Sequence, residues 1–214
     1  MKTVEVKAYY FDELSDSAKE RARVWWRNAS TGDNFFAECV IDDAATIAAL
    51  MGLDINTTRK NLVGGGTRYA PTVYWSGFWS QGDGACCEGT WRACDVQSGK
   101  VREYAPQDTE LHRIAAEFER LALAFPETSF IVKHRGHYSH ENCTVFDFRH
   151  GDDVENDTRD FDACETDLTE AARDFMRWIY RQLEAAYEWE NAVEQVDDSI
   201  RANEYEFTED GERF

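Results

Sequence analysis

Leu168, Ala171, Ala172, Phe175, Trp178, Ile179, Leu183 and Ala186 recur every three to four positions, which commits this stretch to a long helix with one continuous apolar stripe. A stripe of that length has to be covered, so the chain must build a core against it. Leu111, Ile114, Ala115, Phe118, Leu121, Ala122 and Phe125 repeat the same period and stop at Pro126, giving another helix of the same kind. Nearer the start, Ser17 and Glu20 have the spacing of a capping box ahead of Ala18, Ala22, Trp25 and Trp26, in a helix that ends near Gly32. Val40, Ala44, Ile47, Ala48 and Met51 share a face of the next helix, with Gly52 as its natural C-cap. A short helix over residues 193–202 follows the long one.

Other segments switch to a period of two. Val4, Val6, Ala8 and Tyr10 alternate with polar residues as a half-buried strand does. Residues 72–79 and 85–91 are β-type runs separated by SQGDG, whose glycines suit a hairpin loop. Residues 130–133 and 143–149 predict a second hairpin, and the tail NEYEFTEDG a short edge strand and turn. NLVGGGTRYAP reads as a mobile loop that could gate a site. Strand and helix runs are clustered, not strictly alternating, so the expected class is α+β: a mainly antiparallel β-sheet packed against several α-helices. The expected organisation is a single domain over residues 1–214, with residues 165–214 a helical C-terminal part packed on it.

Size and composition narrow the function. A chain of 214 residues buries enough surface, roughly 70–75% of what it exposes unfolded, to need no covalent staple. Cys39, Cys86, Cys87, Cys94, Cys143 and Cys164 are too irregular for a disulfide framework and predict thiols, most of them small core hydrophobes. The apolar runs are far short of the roughly 20 residues a membrane span requires, and MKTVEVKAYY lacks a signal-peptide apolar region, so the expectation is a cytoplasmic protein with no membrane partner. The net charge of -19 disfavours direct nucleic-acid binding, which needs Lys and Arg against the phosphates. It suits the opposite role, in which carboxylates imitate phosphates toward a basic partner. Ordinary solubility and a high-salt proteome are the plainer explanations of the same charge.

Three constellations carry candidate chemistry. Asp152, Asp153, Glu155, Asp157, Asp160, Asp162 and Glu165 form an acidic run against Arg159 alone, continued by carboxylates on the C-terminal helices. Tested as a calcium loop from Asp153, the run has Thr158 where the tight turn wants glycine and Cys164 where a bidentate glutamate belongs. The plain reading is a solvated loop and helix start, and the functional one a phosphate-mimicking surface. Trp75, Ser76, Trp79, Gln81 and Asp83, flanked by Tyr74, Phe78 and Trp91, combine aromatic faces with hydrogen-bonding groups in the manner of a nucleotide-like ligand site; an aromatic hairpin packed on helices would show the same residues.

The third constellation, His134, His137, His140 and Cys143, contains the types zinc prefers but in a single run of period three, so it stands as a weak metal candidate beside a solvated polar loop. The one H-x-S tripeptide, His137 to Ser139, lacks the second copy that a two-histidine phosphoesterase requires. No glycine run matches a phosphate-binding loop, and no serine stands in a nucleophile elbow. The residues imply no catalytic group and no cofactor.

The phrases FDELSDSAKERARVWWR, YWSGFWSQGDGACCEG, RGHYSHENC, WIYRQLEAAYEWE and NEYEFTEDGERF resemble a family of small bacteriophage and prophage accessory proteins, some labelled antitoxin of a toxin-antitoxin system. Cys87 stands where that family's SQGDGA phrase leads one to expect an aromatic. The resemblance implies a product that acts on a host protein, for instance an anti-CRISPR or anti-restriction inhibitor, and carries no catalytic residue. The first expectation is therefore an acidic inhibitor of a host protein with a basic nucleic-acid-binding surface. The alternatives are a nucleotide-sequestering protein using the aromatic SQGDG region and a metal-dependent enzyme around residues 134–143.

Overall fold

The computed structural model describes residues 7–30, 34–62, 64–151 and 159–214. The elements run β1 (Tyr9–Tyr10), a 3-10 turn (Phe11–Glu13), α1 (Asp16–Ser30), α2 (Phe35–Leu50), β2 (Met51–Ile55), β3 (Thr57–Asn61), β4 (Thr67–Pro71), β5 (Val73–Trp75), β6 (Ala85–Cys87) and β7 (Gly89–Val96). There follow α3 (Ser98–Tyr104), α4 (Thr109–Ala124), β8 (Ser129–His134), a second 3-10 turn (Glu141–Cys143), β9 (Thr144–Arg149), α5 (Phe161–Asn191), α6 (Val193–Ala202) and β10 (Glu206–Phe207). The strand pairings are antiparallel and the class is α+β, as the clustered patterning predicts. Among the described residues no helix is long and apolar enough to cross a membrane.

Contacts group the chain into two compact units, residues 38–184 and residues 1–37 with 185–214. The larger unit is built on a four-stranded sheet of order β2-β7-β8-β9. Leu53, Trp91, Phe130 and Phe148 stand opposite one another across it and so share a face. Trp91 is fully buried there, stacked 5.4 Å from Phe130 and tilted against Phe118 of α4 at 5.9 Å, with its indole N–H donating to the Met51 carbonyl at 2.8 Å. The alternate residues Arg92, Lys133, Val145, Asp147 and Arg149 face solvent, so the sheet has one packed and one wet face. In α5 the predicted stripe is buried from Leu168 to Leu183. Arginines tie α4 to α5: Arg113 bonds Glu110 and Asp174, and Arg120 bonds Asp167 at 2.8 Å.

The smaller unit joins the two ends of the chain. Phe11, Leu14, Ala18 and Ala22 pack with Val196, Ile200 and Phe207 in one buried cluster. Arg23 of α1 forms a bidentate pair with Asp197 of α6, at 2.7 and 2.8 Å. β1 pairs with β10, as the tail pattern predicts for a short edge strand.

Several local expectations are corrected. α1 starts at Asp16, and Ser15, not Ser17, caps it by accepting from the Ala18 amide at 3.3 Å. Val4 and Val6 lie outside the described residues, and Ala8 precedes a strand of two residues. Gly52 is no C-cap: α2 runs straight into β2, where Gly52 sits at φ 83° beside a slip in register between Met51 and Leu53. A Cβ there would lie 2.7 Å from the Arg92 carbonyl oxygen, so the close approach of β7 demands glycine.

NLVGGGTRYAP is no mere loop. Its flanks form the exposed ribbon β3–β4, with Gly64, Gly65 and Gly66 at positive φ in the turn. A ribbon solvated along β3 has no apolar alternation to betray it. The 72–91 hairpin forms, shortened to β5 and β6, and α5 begins seven residues before Leu168.

Candidate functional site

Residues 75–83 are organised by packing and by one carboxylate. Asp83 accepts from the Trp79 and Ser80 amides at 3.0 and 2.6 Å, which closes the loop. Trp75 stacks on Phe78 at 5.7 Å, and Phe78 meets Tyr180 of α5 at 5.6 Å, whose hydroxyl donates to the Gly77 carbonyl. Ser76 is half-buried with its amide on the Gly84 carbonyl, whereas Gln81 is exposed and Trp79 is 79% exposed. Asp83 is thus engaged in holding the loop, and the ring presented outward is Trp79.

The four weak metal candidates point to different partners. His134 Nε2 lies 2.9 Å from the Tyr138 carbonyl, and its ring is tilted against Tyr74 at 4.6 Å. His140 Nδ1 lies 3.0 Å from the buried Glu141, which Arg177 also holds. His137 is exposed, and Cys143 packs against Gly136. Among the described residues no group of three or more His, Cys, Asp or Glu is placed to hold a metal ion.

All six cysteines are free. Burial pushes the Cys86 and Cys87 thiols up to about 12 and Cys164 to about 11, so these three stay protonated at neutral pH and are poor nucleophiles. Cys39 and Cys94 are exposed, so half of the cysteines, not most, are core residues.

Of the acidic run, Asp152, Asp153, Glu155 and Asp157 lie outside the described residues. Asp160 acts as a helix cap, its side chain accepting from the Ala163 amide at 3.0 Å at the start of α5. Asp162 and Glu165 are on the first turns of α5, where carboxylates also complement the helix dipole. His150 anchors Glu165 at 3.0 Å while its other ring nitrogen meets Thr128 at 3.0 Å, which fixes the start of α5 against the end of the sheet.

Asp162 and Glu165 belong to one wall of an open groove of about 620 Å³. On that wall stand Asp162, Glu165, Thr166, Thr169, Glu170 and Arg173 from α5, and on the other Thr144, Val145, Phe146 and Phe148 from β9. Among the described residues the buried Arg173 Nε has no hydrogen-bond partner, and its guanidinium lies 6.0 Å from the Phe146 ring. Sequence patterning finds the acids but not the groove, because only the fold brings residues 144–148 alongside 162–173.

The fold and site define an α+β protein with a one-sided antiparallel sheet and an acidic groove between an edge strand and a helix. Residues 36–192 match the family described as a Domain of unknown function (DUF8835), and the chain belongs to that family. No curated protein and no solved structure matches it.

Proposed function

We propose that this is a non-catalytic binding protein that engages a basic, nucleic-acid-handling host protein through its acidic helical surface, as an inhibitor of the anti-CRISPR or anti-restriction kind encoded by a phage. One observation supports this above the others: three arginines of α4 and α5 are absorbed by carboxylates that outnumber them. Arg113 is held by Glu110 and Asp174, Arg120 by Glu117 and Asp167, and Arg177 by Glu141, Glu170 and Asp174. The helical surface therefore keeps a net negative field on a rigid scaffold, which is what electrostatic steering toward a basic groove requires.

The test is association with a basic nucleic-acid-binding protein recovered from host lysate. Association should slow as salt rises, since exposed charges are screened over about 8 Å at physiological ionic strength, and nucleic acid should compete. Replacing Asp152, Asp153, Glu155 and Asp157 by Asn or Gln should slow association more than it speeds dissociation. Binding that ignored salt and these replacements, yet was lost on Trp79→Ala, would transfer the function to the exposed aromatic loop.

A further inference from the structure

The groove has a second property that charge alone does not supply. It is lined by the successive residues Thr144, Val145 and Phe146, although side chains alternate between the faces of a strand, so the groove meets β9 at its edge, not on one face. β9 is terminal in the sheet and pairs only with β8 among the described residues. Its hydrogen-bonding phase can be read from both ends of the hairpin. The Arg135 amide donates to the Cys143 carbonyl at 2.7 Å, which makes 133/145 and 131/147 the bonded pairs.

On the far side of β8, the Ala93 amide donates to the Thr128 carbonyl at 3.1 Å, so Phe130 points its peptide groups toward β7 and Phe148 points its own away from β8. Thr144, Phe146 and Phe148 accordingly direct their amides and carbonyls outward, and these same residues line the groove. In the wall opposite, the buried Arg173 Nε is a further donor, with no partner among the described residues.

We propose that the groove receives an extended, arginine- or lysine-bearing segment of a partner protein, added as a strand on β9. This rests on the acidic-surface reading and specifies how that surface recognises its partner. An added strand would satisfy the outward peptide groups of β9, as strand addition does at other open edges. Its alternate side chains would point toward α5, into Asp162, Glu165 and Glu170 and over the rings of Phe146 and Phe148, where a guanidinium gains both ion pairing and cation–π attraction. The recognised pattern is thus cationic at every second residue, unlike the undirected preference of a merely acidic surface.

The probes are four peptides: one alternating Arg with Val, its Glu–Val counterpart, and two Arg–Val versions N-methylated on the amides of one edge or the other. Polylysine serves as an unpatterned cation. The Arg–Val peptide should bind and slow exchange of the Phe146 and Phe148 amides by about tenfold or more, while the Val145 and Asp147 amides, already bonded to β8, change little. Methylation of one edge should weaken binding by about tenfold or more and of the other edge hardly at all. Asp162→Asn should weaken the Arg–Val peptide several-fold.

Salt-dependent binding of polylysine and Arg–Val with no added protection at Phe146 and Phe148 overturns strand addition and leaves the acidic-surface reading standing. Equal binding of the Glu–Val peptide, or equal tolerance of methylation on both edges, also overturns it. Failure of every cationic probe to bind overturns both.

Discussion

Asp108 accepts from the Leu111 amide at 2.8 Å with one oxygen, capping α4, and from the Trp178 indole of α5 at 2.7 Å with the other. Asp108→Asn keeps only one acceptor, so one of the two donors is left unpaired at a cost of about 1–3 kcal/mol. Asp108→Ala loses both bonds and should cost about 2–4 kcal/mol, measured by denaturant unfolding. Asp197 makes a pH prediction. Its bidentate bond to Arg23 holds its carboxyl below the usual carboxylate range, a folded pKa lower than the unfolded one. The pair's stabilisation is then complete above the unfolded value of about 3.9 and disappears as pH falls through the depressed folded value. The stability gap between the native protein and Asp197→Asn, about 1–3 kcal/mol, should hold steady above about pH 5 and close in acid. A gap unchanged in acid would mean that Arg23 does not hold this carboxylate.

Among the elements, the unit made from the two ends of the chain depends on a few contacts between α1, α6 and the tail. Phe207 is fully buried, with its ring 5.7 Å from Trp25, and Phe207→Ala should cost about 3–5 kcal/mol. Gly211 presses on α1: a Cβ would lie 2.1 Å from the Ala18 carbonyl oxygen, and its φ of 84° already favours glycine. Gly211→Ala should therefore destabilise by about 2–4 kcal/mol even though the residue is only three from the end of the chain. In both variants hydrogen exchange should quicken first in α1 and α6. Elements with one wet face were legible beforehand: α4, α5, α6 and the β8–β9 hairpin follow from their apolar spacing. β2 and the β3–β4 ribbon were not, since β2 is buried except at Asp54 and β3 is exposed throughout, so neither carries a period of two.

For the whole molecule, a net charge of -19 means that repulsion opposes compaction and salt should relieve it. Raising NaCl from about 0.1 M to about 1 M shortens the screening length from about 10 Å to about 3 Å, and Tm should rise. The exposed arginine pairs weaken over the same range, but each is worth only about 0–1 kcal/mol, so the surplus of carboxylates sets the sign. A Tm that fell with salt would show those pairs to matter more than the net charge. The sequence by itself determined the helical stripes, the two hairpins, the α+β class and the sign of the surface, because each depends on residues close along the chain or on composition alone. The tertiary structure decided which carboxylates serve as caps and ion pairs, that Gly52 sits in a strand against β7, and that the outward peptide groups of β9 face an acidic helix, because those facts depend on residues brought together from distant parts of the chain.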